Sequence, residues 1–288
     1  PMRDAKRRSG CPAFLYCADI WPDAEMAMLP KKLSFLMPAV KAASTRIYRD
    51  ADFVATNSSA YVECFEQVHG FDSTKLKYVP QYAEDTYLSM NLEPEPSSKT
   101  RFMVMGNIGR LQDMPSVLEA VSLLQHRDDF ELHIVGTGSV IGDCERYVAD
   151  NGLEGKVVFH GRRPFEEMPG FYRMADACVL TLNVPGAPWI SSTLPSRLQG
   201  YMAAGKPILA SISGSAAEVI RESGCGKAVP AGDSTGLAAL MEDFIDKRAA
   251  YAGCGEAGRA YFRANFTKGR YMEEIESLLV ATAERKDS

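Results

Sequence analysis

Short apolar runs alternate along the chain with stretches whose apolar residues recur at helical spacing. In the second half the runs RFMVMG (101–106), FELHIVG (130–136), KVVFHG (156–161), DACVLTL (176–182), PILAS (207–211) and GKAVP (226–230) read as buried strands. A helix over 114–124 carries Val117, Leu118, Val121 and Leu124 as its core stripe, and further helices fall in 142–148, 162–175 and 193–205. Strands alternating with helices in this way predict an α/β protein with a doubly wound parallel sheet.

The first half repeats the pattern less regularly. AFLYCADIW (13–21) reads as a strand ending in a polar loop with Asp19 and Asp23, and DFVATNSS (52–59) and LKYVPQYAE (76–84) read as the next two strands. Carboxyl ends of parallel strands are where such sheets bind ligands, which makes Asp19 a candidate site residue. Residues 28–49 are apolar and basic and are interrupted by Pro30 and Pro38. That composition suits an anionic membrane surface, while a helix packed on the sheet gives the same pattern and is the simpler reading. His69, beside Gly70, reads as a helix C-cap. NLEPEPSSK (91–99) is a linker by composition. The division is therefore 1–92, a linker at 93–99, a second domain at 100–262, and a terminal segment at 263–288 with an amphipathic helix through Tyr271, Ile275, Leu278 and Leu279.

Composition narrows the function classes. At 288 residues the chain has room for two domains, and a net charge of -5 leaves no basic domain for nucleic acid. The 7 cysteines are scattered without a C-x-x-C, which points to a reducing compartment and to neither a structural disulfide nor a zinc site. No apolar run reaches the roughly 20 residues of a membrane span. Lys6, Arg7 and Arg8 precede no apolar core, so the start is not a signal peptide. Pro1 in place of an initiator Met fits a chain processed or cut from a longer one.

The chemistry concentrates in TLPSRLQGYMAAGKPILAS (193–211). Pro195 suits a first helical turn, Ser196 or Thr193 can cap it, and Gly205 suits the left-handed exit. Arg197 then sits in the first turn, where a cation opposes the helix dipole unless an anion lies across from it. Free N–H groups and a guanidinium converging there would hold a phosphate. Gly109 and Arg110, after the strand ending at Gly106, offer a second such contact. Gly136, Gly138 and Gly142 resemble a dinucleotide fingerprint, but the next strand ends in HGRR (160–163) without the acid a ribose needs, so NADP is a weak reading. Asp50 and Asp52 form a D-x-D, yet at the amino end of a strand, the wrong edge for a metal-held diphosphate. The candidate set is Gly109, Arg110, Gly136, Gly138, Arg162, Ser196 and Arg197. It includes no Ser-His-Asp series, metal cluster or P-loop lysine.

As an ordered set, NIGR (107–110), VGTG (135–138), VVFHG (157–161), YRMAD (172–176) and PSRLQGYMAAGKPILAS (195–211) resemble the donor half of glycosyltransferase family 4. The DIWPD loop (19–23) and ADFVATNSS (51–59) extend the likeness through most of the chain. The nearest branch adds amino-sugars or deoxy-amino-sugars to lipid-linked precursors of bacterial surface polysaccharides.

The resemblance implies a retaining, metal-independent enzyme with two Rossmann-like domains of GT-B type, the first incomplete at its N-terminus. It implies a hexosyl- or N-acetylhexosaminyl-type nucleotide-diphosphate sugar as substrate and no separate cofactor. The base would lie near Gly161, Arg162 and Phe165, and the diphosphate near Gly109, Arg110, Gly136, Gly138, Pro195, Ser196 and Arg197, with both arginines catalytic. Asp19 would face a saccharide or lipid-linked acceptor at the cytoplasmic membrane face, and self-association stays open. Two departures stand out. The lysine usual after the first-turn arginine gives way to Gln112 and Asp113, and the usual glutamate pair falls on Ser192 and Gly200. Arg197 is then the residue to supply the missing charge. The alternative is a nucleotide-sugar-binding half that needs a partner or a preceding segment for turnover.

Overall fold

The computed structural model describes residues 2–19, 21, 35–183 and 191–284. Asp23, Pro30 and the rest of 28–34 lie outside them. The chain divides into two units. The first takes residues up to Tyr82, residues 191–194 and the helix Lys268–Glu284; the second takes residues 83–183 and Pro195–Thr267.

In the first unit β1 (Phe14–Cys17), β2 (Phe53–Thr56) and β3 (Leu76–Tyr78) form a parallel sheet in that order. Every residue of β2 is buried because both faces are covered, the condition that produces an unbroken apolar strand. Val54 joins Tyr48, Phe65 and Leu76 on one side, and Phe53 and Ala55 join Val79 and Leu278 on the other. The helix Lys268–Glu284 supplies that second cover, with Tyr271 edge-on to Tyr16 at 5.7 Å and Glu274 paired to Lys77 at 2.5 Å. It starts later than the segment read at 263, because Phe262 and Phe266 are buried in the second unit's core.

The Asp pair at 50 and 52 is structural. Asp52 accepts from the Ala13 N–H at 2.7 Å and pairs with Lys6 at 2.5 Å, and Asp50 pairs with Arg3, so the basic helix Met2–Ser9 is spent on them. His69 is fully buried among Tyr48 and Phe65, with Nδ1 2.7 Å from the Thr45 hydroxyl, a packing role in place of an exposed cap.

The second unit begins before the boundary read from composition. Tyr87 packs edge-on to Tyr172 at 4.9 Å and Leu92 is buried, so residues 83–92 belong to it. Its strands are β4 (Thr100–Met105), β5 (Phe130–Val135), β6 (Val157–Gly161), β7 (Ala177–Thr181), β8 (Ile208–Ser211) and β9 (Gly226–Val229). They fall where the alternation puts them. All pair in parallel in the order β6-β5-β4-β7-β8-β9, which reverses between β4 and β7. Open α/β sheets bind ligands at such a reversal, outside the carboxyl ends of the strands. The stripe Val117, Leu118, Val121 and Leu124 is buried as expected, and the helix Ser234–Asp246 packs beside it through Leu237, Met241 and Phe244.

On the sheet face opposite that core, His133 Nδ1 lies 2.9 Å from His160 Nε2, and the rings stack. Burial lowers the proton affinity of both; for His133 the nearby Glu131 carboxylate opposes this without reversing it. The unfolded chain therefore binds more protons below the ordinary histidine pKa of about 6.5, and stability is lost as pH falls through that value. Thermal melts from pH 7.5 to 5 are expected to show a falling Tm whose slope His133→Gln flattens. Equal slopes in both proteins would show that the pair contributes nothing.

Candidate functional site

The β4–β7 reversal is crossed by backbone and side-chain bonds. The Asn183 N–H donates to the Leu111 carbonyl at 3.0 Å, Gln112 bridges to Asn183, and the Thr181 hydroxyl donates to the Gln112 carbonyl. Asp113 holds a left-handed φ of 44° there, and its carboxylate accepts from the Ser116 hydroxyl at 2.7 Å and from Asn183 Nδ2 at 3.4 Å. A left-handed non-glycine residue is costly and marks a turn held by its surroundings.

The helix Ser196–Ala203 starts near the turn that follows β4, where its first-turn residue Arg197 meets the Asn107 carbonyl. Pro195 occupies the cap position, just outside the first turn where the sequence reading placed it, and no side chain caps the helix. Neither Ser196 nor Thr193 does so, and Thr193 belongs to the first unit, its hydroxyl 3.4 Å from Tyr61. The Leu198 N–H donates to the Pro195 carbonyl at 2.9 Å, which leaves the Ser196 and Arg197 N–H groups without a partner within the helix or from a cap among the described residues. Gly205 has φ +70°, the left-handed exit expected of it. Tyr201, one turn after Arg197, is buried and its hydroxyl accepts from the Met105 N–H at 2.9 Å, which pins the helix to the end of β4.

Arg197 is thereby held over the β4 turn. Its Nη2 donates to the Asn107 carbonyl at 2.5 Å, and its guanidinium lies 3.5 Å from where a Gly106 Cβ would stand. Gly106, at φ +113°, leaves the room this needs. Nη1 is buried and has no hydrogen-bond partner among the described residues. A buried N–H left unpaired costs about 1–3 kcal/mol, and the first-turn position adds an unfavourable dipole term. An anion at this point relieves both.

Arg110 is exposed and lines a cavity of about 290 Å³ with Gly109, Pro115, Leu118, Asp143 and Tyr147. Beside it Gln112 Oε1 accepts from the Gly109 N–H at 2.9 Å and closes residues 109–112 on themselves. Gly136 and Gly138 serve backbone packing. A Cβ on Gly136 would lie 1.9 Å from the Gly106 carbonyl oxygen, and one on Gly138 would lie 2.2 Å from that of Ile108. Gly161 (φ +65°), the last residue of β6, and Arg162 after it are exposed, two strands from β4. Gly200 faces the Tyr172 hydroxyl, where a Cβ would be 3.3 Å away, so a glutamate has no place there. Asp19 is exposed beyond the end of β1 in the first unit. Among the described residues, no group of three or more His, Cys, Asp or Glu side chains is arranged to hold a metal ion.

Sequence reading named Gln112 and Asp113 only as the place of a missing lysine, and it missed Asn183 and Tyr201. Tyr201 had a signal, its i+4 relation to Arg197; Asn183 becomes visible only once β7 is known to neighbour β4.

The family model for glycosyl transferases group 1 matches residues 99–247. The chain belongs to that family. This group 1 member is 27% identical over 258 residues to the GDP-mannose-dependent alpha-(1-6)-phosphatidylinositol monomannoside mannosyltransferase of Mycolicibacterium smegmatis, covering 83% of this chain and 66% of that one. It is 25% identical over 184 residues to the probable glycosyltransferase WbjE of Pseudomonas aeruginosa, covering 63% of this chain and 44% of that one. It thus spans less than two thirds of these curated relatives. Among solved structures it is similar to HepE of Anabaena in complex with UDP and glucose, with a TM-score of 0.77 and 16% identity over 96% of this chain and 74% of that one. The fold is of GT-B type, with a parallel Rossmann-like sheet in each unit.

Proposed function

We propose that this group 1 chain transfers a hexosyl or N-acetylhexosaminyl group from a nucleoside-diphosphate sugar to a saccharide acceptor with retention of configuration. The observation that carries the reading is the unpaired Nη1 of Arg197 over an uncapped helix start at the β4–β7 reversal. In the reaction the bond from the anomeric carbon to the diphosphate oxygen breaks, and its electron pair stays with the diphosphate. Arg197 and the helix start stabilise that charge, help aimed at what develops in the transition state. The acceptor oxygen bonds to the same face of the sugar, and its proton passes to the departing phosphate oxygen. Because the guanidinium and helix supply the charge, the reading is metal-independent, and no cofactor beyond the sugar nucleotide is needed.

The relatives support the substrate class, since one is named for GDP-mannose and a lipid-linked acceptor and a structural neighbour was solved with UDP. A lipid-linked acceptor at the inner face of the cell membrane, in surface-polysaccharide synthesis, is the finer part of the proposal. No described helix is long and apolar enough to cross a membrane. The helix Met37–Arg49 carries Lys41, Arg46 and Arg49 and follows the exposed Phe35 and Leu36, a composition suited to peripheral contact with anionic lipid. Asp19 is the proposed acceptor-side residue.

A second reading is a donor-binding half without turnover, favoured by the fact that the family match, residues 99–247, falls mostly in the second unit. Incubation with UDP- and GDP-sugars, with and without EDTA, separates them. Release of nucleoside diphosphate, unchanged by EDTA, supports the enzyme; binding without release supports the module. Failure to bind any sugar nucleotide would sink both.

A further inference from the structure

At the opposite, amino-terminal edge of the second unit's sheet lies a cavity of about 540 Å³, within the range of small-molecule sites. Lys206, Arg248, Arg259, Asp176 and Glu93 line it, with apolar walls that include Leu92 and Tyr251. Lys206 is only 2% exposed, yet its ammonium, with three donors, makes one hydrogen bond, to the Ala175 carbonyl at 2.9 Å. Arg259 spends Nη2 on the Ala204 and Met90 carbonyls at 3.1 and 3.5 Å, while its Nε is buried without a partner. Gly205 is seated against that guanidinium, leaving no room for a side chain between them.

The carboxylates in the cavity do not balance these cations. Asp176 is committed to Arg248 and to the Arg101 N–H at 2.7 Å, Glu256 is paired with Arg263 at 2.8 Å, and Glu93 is exposed. Among the described residues no carboxylate lies within ion-pair distance of Lys206 or Arg259. Burial lowers the Lys206 ammonium to about 8, which the more distant Glu93 and Asp176 carboxylates oppose without reversing. Buried charges are retained where something pairs with them.

We propose that this cavity is a binding site for a small molecule bearing an oxyanion, phosphate or carboxylate, which Lys206 and Arg259 engage from the floor. It lies at the edge of the sheet away from Arg197 and does not depend on the transfer reading. The test is calorimetric titration with inorganic phosphate and with citrate, in an Arg197→Ala background that weakens donor-side anion binding. One equivalent of either probe is expected to bind, and which one binds better tells phosphate from carboxylate. Lys206→Met is expected to weaken it at least tenfold. Ala252→Glu, which adds a carboxylate on the exposed wall and leaves the floor intact, is expected to do the same and covers the case in which Lys206→Met does not fold. Binding of neither probe, or binding that both variants leave unchanged, overturns the proposal.

Discussion

Arg197→Ala is expected to lower kcat/KM for the sugar nucleotide by about 100- to 1000-fold, the range for removing one charge-stabilising donor. Nucleoside diphosphate affinity, read by calorimetry, should fall with it, because the guanidinium edge that meets the leaving group is free in the absence of ligand. Stability should not fall. The variant loses one bond to the Asn107 carbonyl but also removes a buried unpaired N–H and a cation from a helix first turn, effects of opposite sign and similar size. Arg197→Lys keeps the charge without the planar fork and should recover only part of the rate. Arg110→Ala should stay within a few fold of wild type, since that side chain lines the groove of Pro115 and Tyr147. If Arg197→Ala binds nucleoside diphosphate as wild type does, the switch-point site has lost its anchor. If Arg110→Ala has the larger effect, Arg110 and not Arg197 is the anchor.

The second unit was readable because its central strands β4, β7 and β8 are almost wholly buried and apolar and the helical stripe Val117, Leu118, Val121 and Leu124 alternates with them, so burial and periodicity agree there. Strand order was not readable. Nothing in the sequence says that β7 lies beside β4, yet that adjacency brings Asn183 to Gln112 and makes a site of the turn between them. Arg197 was legible from one local conflict, a cation in a helix first turn. Arg110 shows the limit of the same reasoning: its neighbours in sequence suggest a phosphate contact, but do not show that Gln112 folds back on the Gly109 N–H beside it. Lys206 gave no signal at all. In sequence it is an ordinary residue after a helix-ending glycine, and only the packing of Arg259 and Ala175 around it reveals a buried charge.

The glycines after β5 supply the largest expected loss of stability. Gly136→Ala would put a Cβ 1.9 Å from the Gly106 carbonyl oxygen on a backbone at φ +144°, and Gly138→Ala would put one 2.2 Å from that of Ile108. Neither obstacle is a side chain that can swing away. Both are backbone atoms of the neighbouring turn, held by the Gly106 N–H on the Val135 carbonyl at 2.9 Å and the Ile108 N–H on the Thr137 carbonyl at 3.0 Å. Each substitution is expected to cost roughly 3–4 kcal/mol, and a melting scan should show a drop on the order of 10 °C. Gly142 is the control within the same run, because a Cβ there meets nothing and the position lies in the helix Ile141–Asp150. Gly142→Ala should raise stability by about 0.5–1 kcal/mol. A dinucleotide-type role makes the contrary forecast. Glycines kept for the approach of a pyrophosphate would leave the Tm of Gly136→Ala unchanged and lower only ligand affinity. A melting scan without ligand therefore decides between the two, and it does so before any substrate is known.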